Sequence, residues 1–175
     1  MSLHLVLGGA RSGKSAYAEK LATASDLPVT YIATAQVYDN EFKQRVQHHK
    51  DCRPKHWKVI ESSFNLASTI KTEAAEGRCI IVDCLTLWLA QCICPDCAPS
   101  EGVNWAQEKE ALLDCLPKLQ GTILLVSNEV GMGIVPLGEI NREFQNEQGR
   151  LNQAIAQLAH TVSFVAAGLP LKLKG

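Results

Sequence analysis

The chain has 175 residues, 46% of them hydrophobic and 20% charged, with a formal net charge of −1. That length suits one domain with a sizeable core, and the charge excludes the broad basic field that nucleic-acid and anionic-membrane binding need. No apolar run approaches the ~18 residues that cross a bilayer, so no membrane span is expected.

Met1 to Leu7 runs directly into a glycine loop, with neither a basic leader region nor a small-residue cleavage site. A cytoplasmic location is therefore expected, with the seven cysteines (Cys52, Cys79, Cys84, Cys92, Cys94, Cys97 and Cys115) as reduced thiols. Leu3 to Leu7 reads as a buried strand entering a turn at Gly8-Gly9. Ala18, Leu21 and Ala22 recur at helical spacing and predict a helix over Lys14 to Ala24. A second strand is expected over Val29 to Ala33, and a mostly exposed helix over Asn40 to Asp51, barred from continuing by Pro54.

Trp57 to Ile60 predicts a short strand and Leu66 to Glu76 a helix stopped by Gly77. Cys79 to Val82 reads as a fully buried strand flanked by Asp83, followed by an apolar helix over Leu85 to Cys92 and a surface loop over Cys92 to Asn104. A helix over Trp105 to Leu116, a strand over Thr122 to Val126 and a glycine-rich loop over Asn128 to Gly138 come next. A long helix over Glu139 to His160, a strand over Val162 to Ala166 and an edge segment at Leu171 to Leu173 complete the chain. Continuously apolar strands alternating with helices predict one α/β domain over residues 1–175, with a mostly parallel sheet covered on both faces.

Gly8-Gly9-Ala10-Arg11-Ser12-Gly13-Lys14-Ser15 satisfies G-x-x-x-x-G-K-[ST], between a predicted strand and a predicted helix. Glycines let the backbone N–H groups converge on phosphate oxygens, and the helix N-terminus adds partial positive charge. Lys14 would reach the β- and γ-phosphates of a nucleoside triphosphate and the Ser15 hydroxyl would hold Mg²⁺. Asp83, at the end of an apolar strand, is the expected acidic partner for the same ion; capping the helix that follows is its plainer use.

Arg45 to Trp57 gathers three of the five histidines and four cations. Adjacent histidines on a helix point about 100° apart, which disfavours a shared metal, whereas a neutral imidazole is a competent nucleophile. Lys50 and Arg53 beside it would stabilise transferring phosphate. Asn128 to Pro136 follows a strand, where loops line the ligand crevice of a parallel sheet, and Glu129 is placed to orient an acceptor hydroxyl. Cys92, Cys94 and Cys97 offer zinc three thiolates without a neighbouring fourth ligand, and a surface insertion with incidental thiols is expected.

Three segments together, Gly8 to Ser15, Tyr31-Ile32-Ala33-Thr34-Ala35 with Arg45 to Trp57, and Asn128 to Pro136 with Gly149-Arg150-Leu151-Asn152-Gln153, resemble the bifunctional adenosylcobinamide kinase / adenosylcobinamide-phosphate guanylyltransferase family over nearly the whole chain. The resemblance implies a P-loop domain with a RecA-like sheet, assembled as a homotrimer. It implies phosphorylation of the aminopropanol hydroxyl of adenosylcobinamide by ATP or GTP. A histidine then takes GMP from GTP, releasing pyrophosphate, and passes it to adenosylcobinamide phosphate to give adenosylcobinamide-GDP. His49 is the favoured nucleophile and His48 the second; Thr34, Lys50, Arg53, Glu61 and Asp83 are carried over as nucleotide contacts. A P-loop regulator or ATPase subunit is the competing reading, and it leaves the histidine stretch without a task.

Overall fold

A computed structural model describes residues 1–35, 54–94 and 102–175. The expected helix over Asn40 to Asp51 lies outside them. In chain order the elements are β1 (Ser2–Gly8), α1 (Lys14–Ala24), β2 (Val29–Ala33), β3 (Lys58–Glu61), α2 (Leu66–Glu73), β4 (Cys79–Asp83) and α3 (Leu85–Ile93). There follow α4 (Trp105–Cys115) with a 3₁₀ turn at Leu116–Lys118, β5 (Thr122–Asn128), α5 (Glu139–Leu158), β6 (Thr161–Ala166) and β7 (Leu169–Lys174).

The strands form one seven-stranded sheet in the order β3-β2-β4-β5-β1-β6-β7. All neighbours run parallel except β6 and β7. β5 thus separates the strand that leads into the glycine loop from the strand that ends at Asp83, which is the RecA-like order of P-loop domains.

Because side chains alternate along a strand, each strand feeds both faces. Leu3, Leu5, Ile32, Ile80, Val82, Ile123 and Leu125 pack with Leu66, Ile70, Leu85, Trp88, Leu112, Leu151 and Ile155 of α2 to α5. On the opposite face Val6, Tyr31, Ile81, Leu124, Val126 and Val165 meet α1 through Ala18 and Ala22, whose small size lets the helix lie close to the sheet. No helix of the described residues is long and apolar enough to cross a membrane.

Three boundaries differ from expectation. α2 stops at Glu73, with Ala74 already extended (φ −72°, ψ 124°). Residues 74–78 are spent on the reversal that brings Cys79 beside β2, where its N–H donates to Pro28 O at 3.0 Å. Cys92 belongs to α3 and is buried rather than lying in a surface loop; burial, with Glu108 adding to it, pushes its thiol up to about 12. The edge segment at Leu171 to Leu173 is part of a six-residue strand, turned by Ala167 (φ 51°) and Gly168 (φ 78°). Positive φ at both central residues suits the twist of a two-residue hairpin.

Glu147 ties α4 to α5. It accepts from Trp105 Nε1 at 2.7 Å, Lys109 Nζ at 2.8 Å and Arg150 Nη1 at 2.6 Å. Burial alone would raise its pKa, but these donors outweigh it and hold the carboxyl at about 2 against an ordinary 4.5. A depressed carboxylate contributes stability above its unfolded pKa and loses it as pH falls through the folded value. Chemical denaturation of Glu147→Gln beside the parent chain should show a loss of up to about 3 kcal/mol at neutral pH. The gap should narrow as pH falls from about 4.5 towards about 2.

Candidate active site

The carboxyl ends of the parallel strands bring the sequence-predicted residues to one edge. Gly8 is in register with Asn128 of β5 and Val165 of β6. Ala33, the residue before Thr34, is in register with Glu61 on one side and Asp83 on the other. By the two-residue pleat Gly8, Ala33, Glu61, Asp83 and Asn128 share the face on which α1 lies. Carboxyl-end crevices of this kind are where open α/β sheets bind ligands.

The loop from Gly8 to Gly13 is folded tightly against β6. A Cβ at Gly8 would stand 2.4 Å from Ser12 Oγ and 2.6 Å from Val165 O. Arg11 (φ 56°) and Gly13 (φ 95°) take left-handed backbone, and the N–H of Gly168 in the β6–β7 turn donates to Ser12 O at 2.8 Å. Gly13 at the N-cap of α1 has no side chain to cap it, and uncapped first-turn N–H groups suit an anion. Lys14 is buried with its Nζ turned back to Gly9 O at 3.0 Å. The buried Ser12 Oγ has no hydrogen-bond partner among the described residues. A tight glycine loop at a helix N-terminus, with a buried ammonium and an orphan hydroxyl, has the chemistry of a phosphate cradle.

Asp83 ends β4, half-buried, and its Oδ2 accepts from the Tyr31 hydroxyl at 2.6 Å. Thr34 lies just beyond β2. It is fully buried, its Oγ1 donates to Cys84 O at 2.7 Å and accepts from Cys84 N at 2.8 Å, and its carbonyl takes Gln91 Nε2 at 2.6 Å. Its hydroxyl therefore holds the backbone after Asp83 in place. Glu61 stands exposed at the end of β3. His48, His49, Lys50 and Arg53 lie outside the described residues, as does Cys97.

Beyond the end of β5, Glu129 N donates to Gly8 O at 3.1 Å and Asn128 N to Thr86 Oγ1 at 2.8 Å. Beneath them Asn152 Nδ2 reaches Asn128 O at 3.0 Å, while Ser127 Oγ donates to Asn152 Oδ1 at 2.7 Å and accepts from Gln148 Nε2 at 2.8 Å. This buried network sets the direction in which the glycine-rich loop leaves the sheet. Gln145 Nε2 bonds Val130 O at 3.1 Å and Arg142 Nη1 bonds Leu137 O, so the loop is tied to α5. Met132, Ile134, Val135 and Leu137 nevertheless stand out of it, exposed. A separate cleft of about 580 Å³, lined by Pro28, Pro54, Trp57 and Arg78 among others, opens at the amino-terminal edge of the sheet, away from the phosphate loop.

Sequence reasoning passed over Tyr31 as a working residue, together with Gln91 and the Ala167-Gly168 turn. Tyr31 meets Asp83 only through the pairing of β2 with β4, two register positions apart. Gln91 and Gly168 carried no signal, because what they touch is distant in the chain.

A family model described as cobinamide kinase / cobinamide phosphate guanyltransferase matches residues 4–173. The bifunctional adenosylcobalamin biosynthesis protein CobP of Pseudomonas aeruginosa is 52% identical over 172 residues, covering 98% of this chain and 96% of that one. The bifunctional adenosylcobalamin biosynthesis proteins CobU of Salmonella typhimurium and Escherichia coli are 38% and 36% identical, each over 97% of this chain and 98% of their own.

The contacts at Gly8 yield a direct test. Gly8→Ala should fold yet weaken binding of a fluorescent ATP analogue at least about ten-fold, because the loop must shift to admit the methyl group. Gly9→Ala, with nothing within 4 Å of the added carbon, should bind nearly as the parent does.

Proposed function

The chain belongs to the cobinamide kinase / cobinamide phosphate guanyltransferase family, and from that membership we propose how its residues divide two reactions within one domain over residues 1–175. As a kinase it moves the γ-phosphoryl group of ATP or GTP to the aminopropanol hydroxyl of adenosylcobinamide. As a guanylyltransferase it joins GMP from GTP to adenosylcobinamide phosphate, giving adenosylcobinamide-GDP and pyrophosphate.

In the first reaction the loop Gly8 to Ser15 holds the β- and γ-phosphates by backbone N–H groups, and Lys14 turns from Gly9 O to the transferring group. Ser15 and Asp83 are the residues that would hold Mg²⁺. They fit that ion, being hard oxygen donors on the same side of the sheet and few enough to leave places for phosphate and water. When bound, Mg²⁺ supplies charge neutralisation at the β- and γ-oxygens. Catalysis by the protein itself is then positioning and charge stabilisation. Glu129 orients the acceptor hydroxyl from the loop beside Gly8, and the exposed apolar side chains of that loop suit a large, partly apolar acceptor.

In the second reaction His49, with His48 as the alternative, attacks the α-phosphorus of GTP. The N–P bond forms as the bond to the pyrophosphate oxygen breaks. A phosphate oxygen of adenosylcobinamide phosphate then attacks the same phosphorus and frees the imidazole. Splitting the transfer in this way replaces one difficult displacement with two easier ones. Lys50 and Arg53 stabilise the charge that develops, and Glu61 lines the nucleotide side. Thr34 is the further nucleotide contact, at the position where it also holds Cys84.

The observation that carries the reading is the pairing of a tightly folded phosphate loop, with Lys14 buried in it, and Asp83 on the same face of the sheet. A homotrimeric assembly accords with the apolar surface left open at Leu169, Leu171 and Leu173 of β7; a cytoplasmic location rests on the sequence reading alone.

Incubation with α-labelled GTP should give a covalent, acid-labile and base-stable label on the peptide that contains His48 and His49. Guanylylation should fall on the acid side as the ring protonates, since only the neutral imidazole attacks. Replacing both rings with Ala should abolish the label and leave the kinase reaction within about three-fold. Undiminished adenosylcobinamide-GDP formation by that double variant would refute the mechanism. Lys14→Ala should lower kinase turnover by on the order of 10²-fold.

A further inference from the structure

Asp83 reaches the nucleotide site with only half of its carboxylate uncommitted to Tyr31. The phenol is buried at 1% exposure within the core beneath α1, among Ile81, Ala18, Ala22 and Val126. Its ring therefore has one orientation, and from that orientation the hydroxyl meets Asp83 Oδ2 at 2.6 Å. Tyr31 and Asp83 sit on adjacent parallel strands, on the same face and two register positions apart, a diagonal that a long aromatic side chain spans.

We propose that Tyr31 is a positioning residue for the Mg²⁺–nucleotide site: it fixes the rotamer of Asp83 so that Oδ1 is presented towards α1. The inference rests on the reading of Asp83 as the carboxylate that holds Mg²⁺. A strand-end aspartate has a free χ2 and two equivalent oxygens, so on its own it offers a cation either oxygen in several directions. A short bond to a ring that cannot move removes that freedom before any ligand arrives, and this is how second-sphere groups usually raise the affinity of a ligating carboxylate. Thr34 does the same for the backbone. Its hydroxyl grips both the C=O and the N–H of Cys84, and its own N–H donates to Asp83 O at 3.3 Å. Side chain and main chain of Asp83 are both set from the end of β2.

A phenol placed only to satisfy its own buried hydroxyl would make the same bond, so the test must read the cation rather than stability. Binding of a fluorescent ATP analogue would be titrated with Mg²⁺ in the parent chain, Tyr31→Phe, Asp83→Asn and the double variant, with thermal melting as a check of folding. Tyr31→Phe keeps the ring and its packing. It should raise the apparent Mg²⁺ dissociation constant by about ten-fold, the scale of one hydrogen bond to a charged group, and leave nucleotide binding in EDTA unchanged. Asp83→Asn should raise it further, and adding Tyr31→Phe to Asp83→Asn should change nothing more.

An unchanged Mg²⁺ requirement in Tyr31→Phe, with Asp83→Asn impaired, would overturn the role of Tyr31 while leaving that of Asp83. An equal rise from Tyr31→Phe in both backgrounds would also overturn it, as an effect that bypasses Asp83. If Asp83→Asn itself kept the parent Mg²⁺ dependence, both readings would fall.

Discussion

There is no room for a side chain at position 8. Ser12 Oγ and Val165 O occupy the space, and the form of the phosphate loop follows from that closeness. The loop has to cross the end of β6 within van der Waals distance, then start α1 through left-handed backbone at Gly13. The β6–β7 turn braces it from outside through Gly168 N and Ser12 O. A loop held so firmly keeps its donors aimed without a ligand, and preorganised donors contribute most to stabilising transferring phosphate because nothing has to reorganise during the reaction.

The same sheet separates chemistry from support. The face under α1 brings Gly8, Asp83 and Asn128 together at its carboxyl edge. The other face, packed by α2 to α5, carries the buried polar groups that hold those residues still. Ser127, Gln148 and Asn152 fix the exit of β5, and Thr34 with Gln91 fixes the exit of β4. Buried hydrogen-bonded networks of this kind are costly to disturb.

Much of the fold was legible because a buried strand between helices has few alternatives. β1, β2, β4 and β5 follow from short apolar runs, and α1 from Ala18 and Ala22 at helical spacing. Misreadings fell at connections. Gly77 looked like a helix stop, but α2 ends earlier because Cys79 must reach its register beside β2. The Ala167-Gly168 hairpin escaped notice because alanine seldom takes positive φ, and here the strand pairing on either side imposes it. By sequence Cys92 falls at the junction of a helix and a loop, and only tertiary packing puts Glu108 and the core around it.

By itself the sequence determined the phosphate loop, the acid at the end of an apolar strand and the family. Each is written in residues that are contiguous or locally periodic, and local geometry converts such patterns directly into structure. Only the tertiary structure decided which face each strand-end residue serves. Thr34 and Asp83 look alike as polar residues at strand ends, yet Thr34 is fully buried and bonded to Cys84 while Asp83 is half-buried and bonded to Tyr31. The partnership of Tyr31 with Asp83 came from register as well, a relation between strands that no linear spacing encodes.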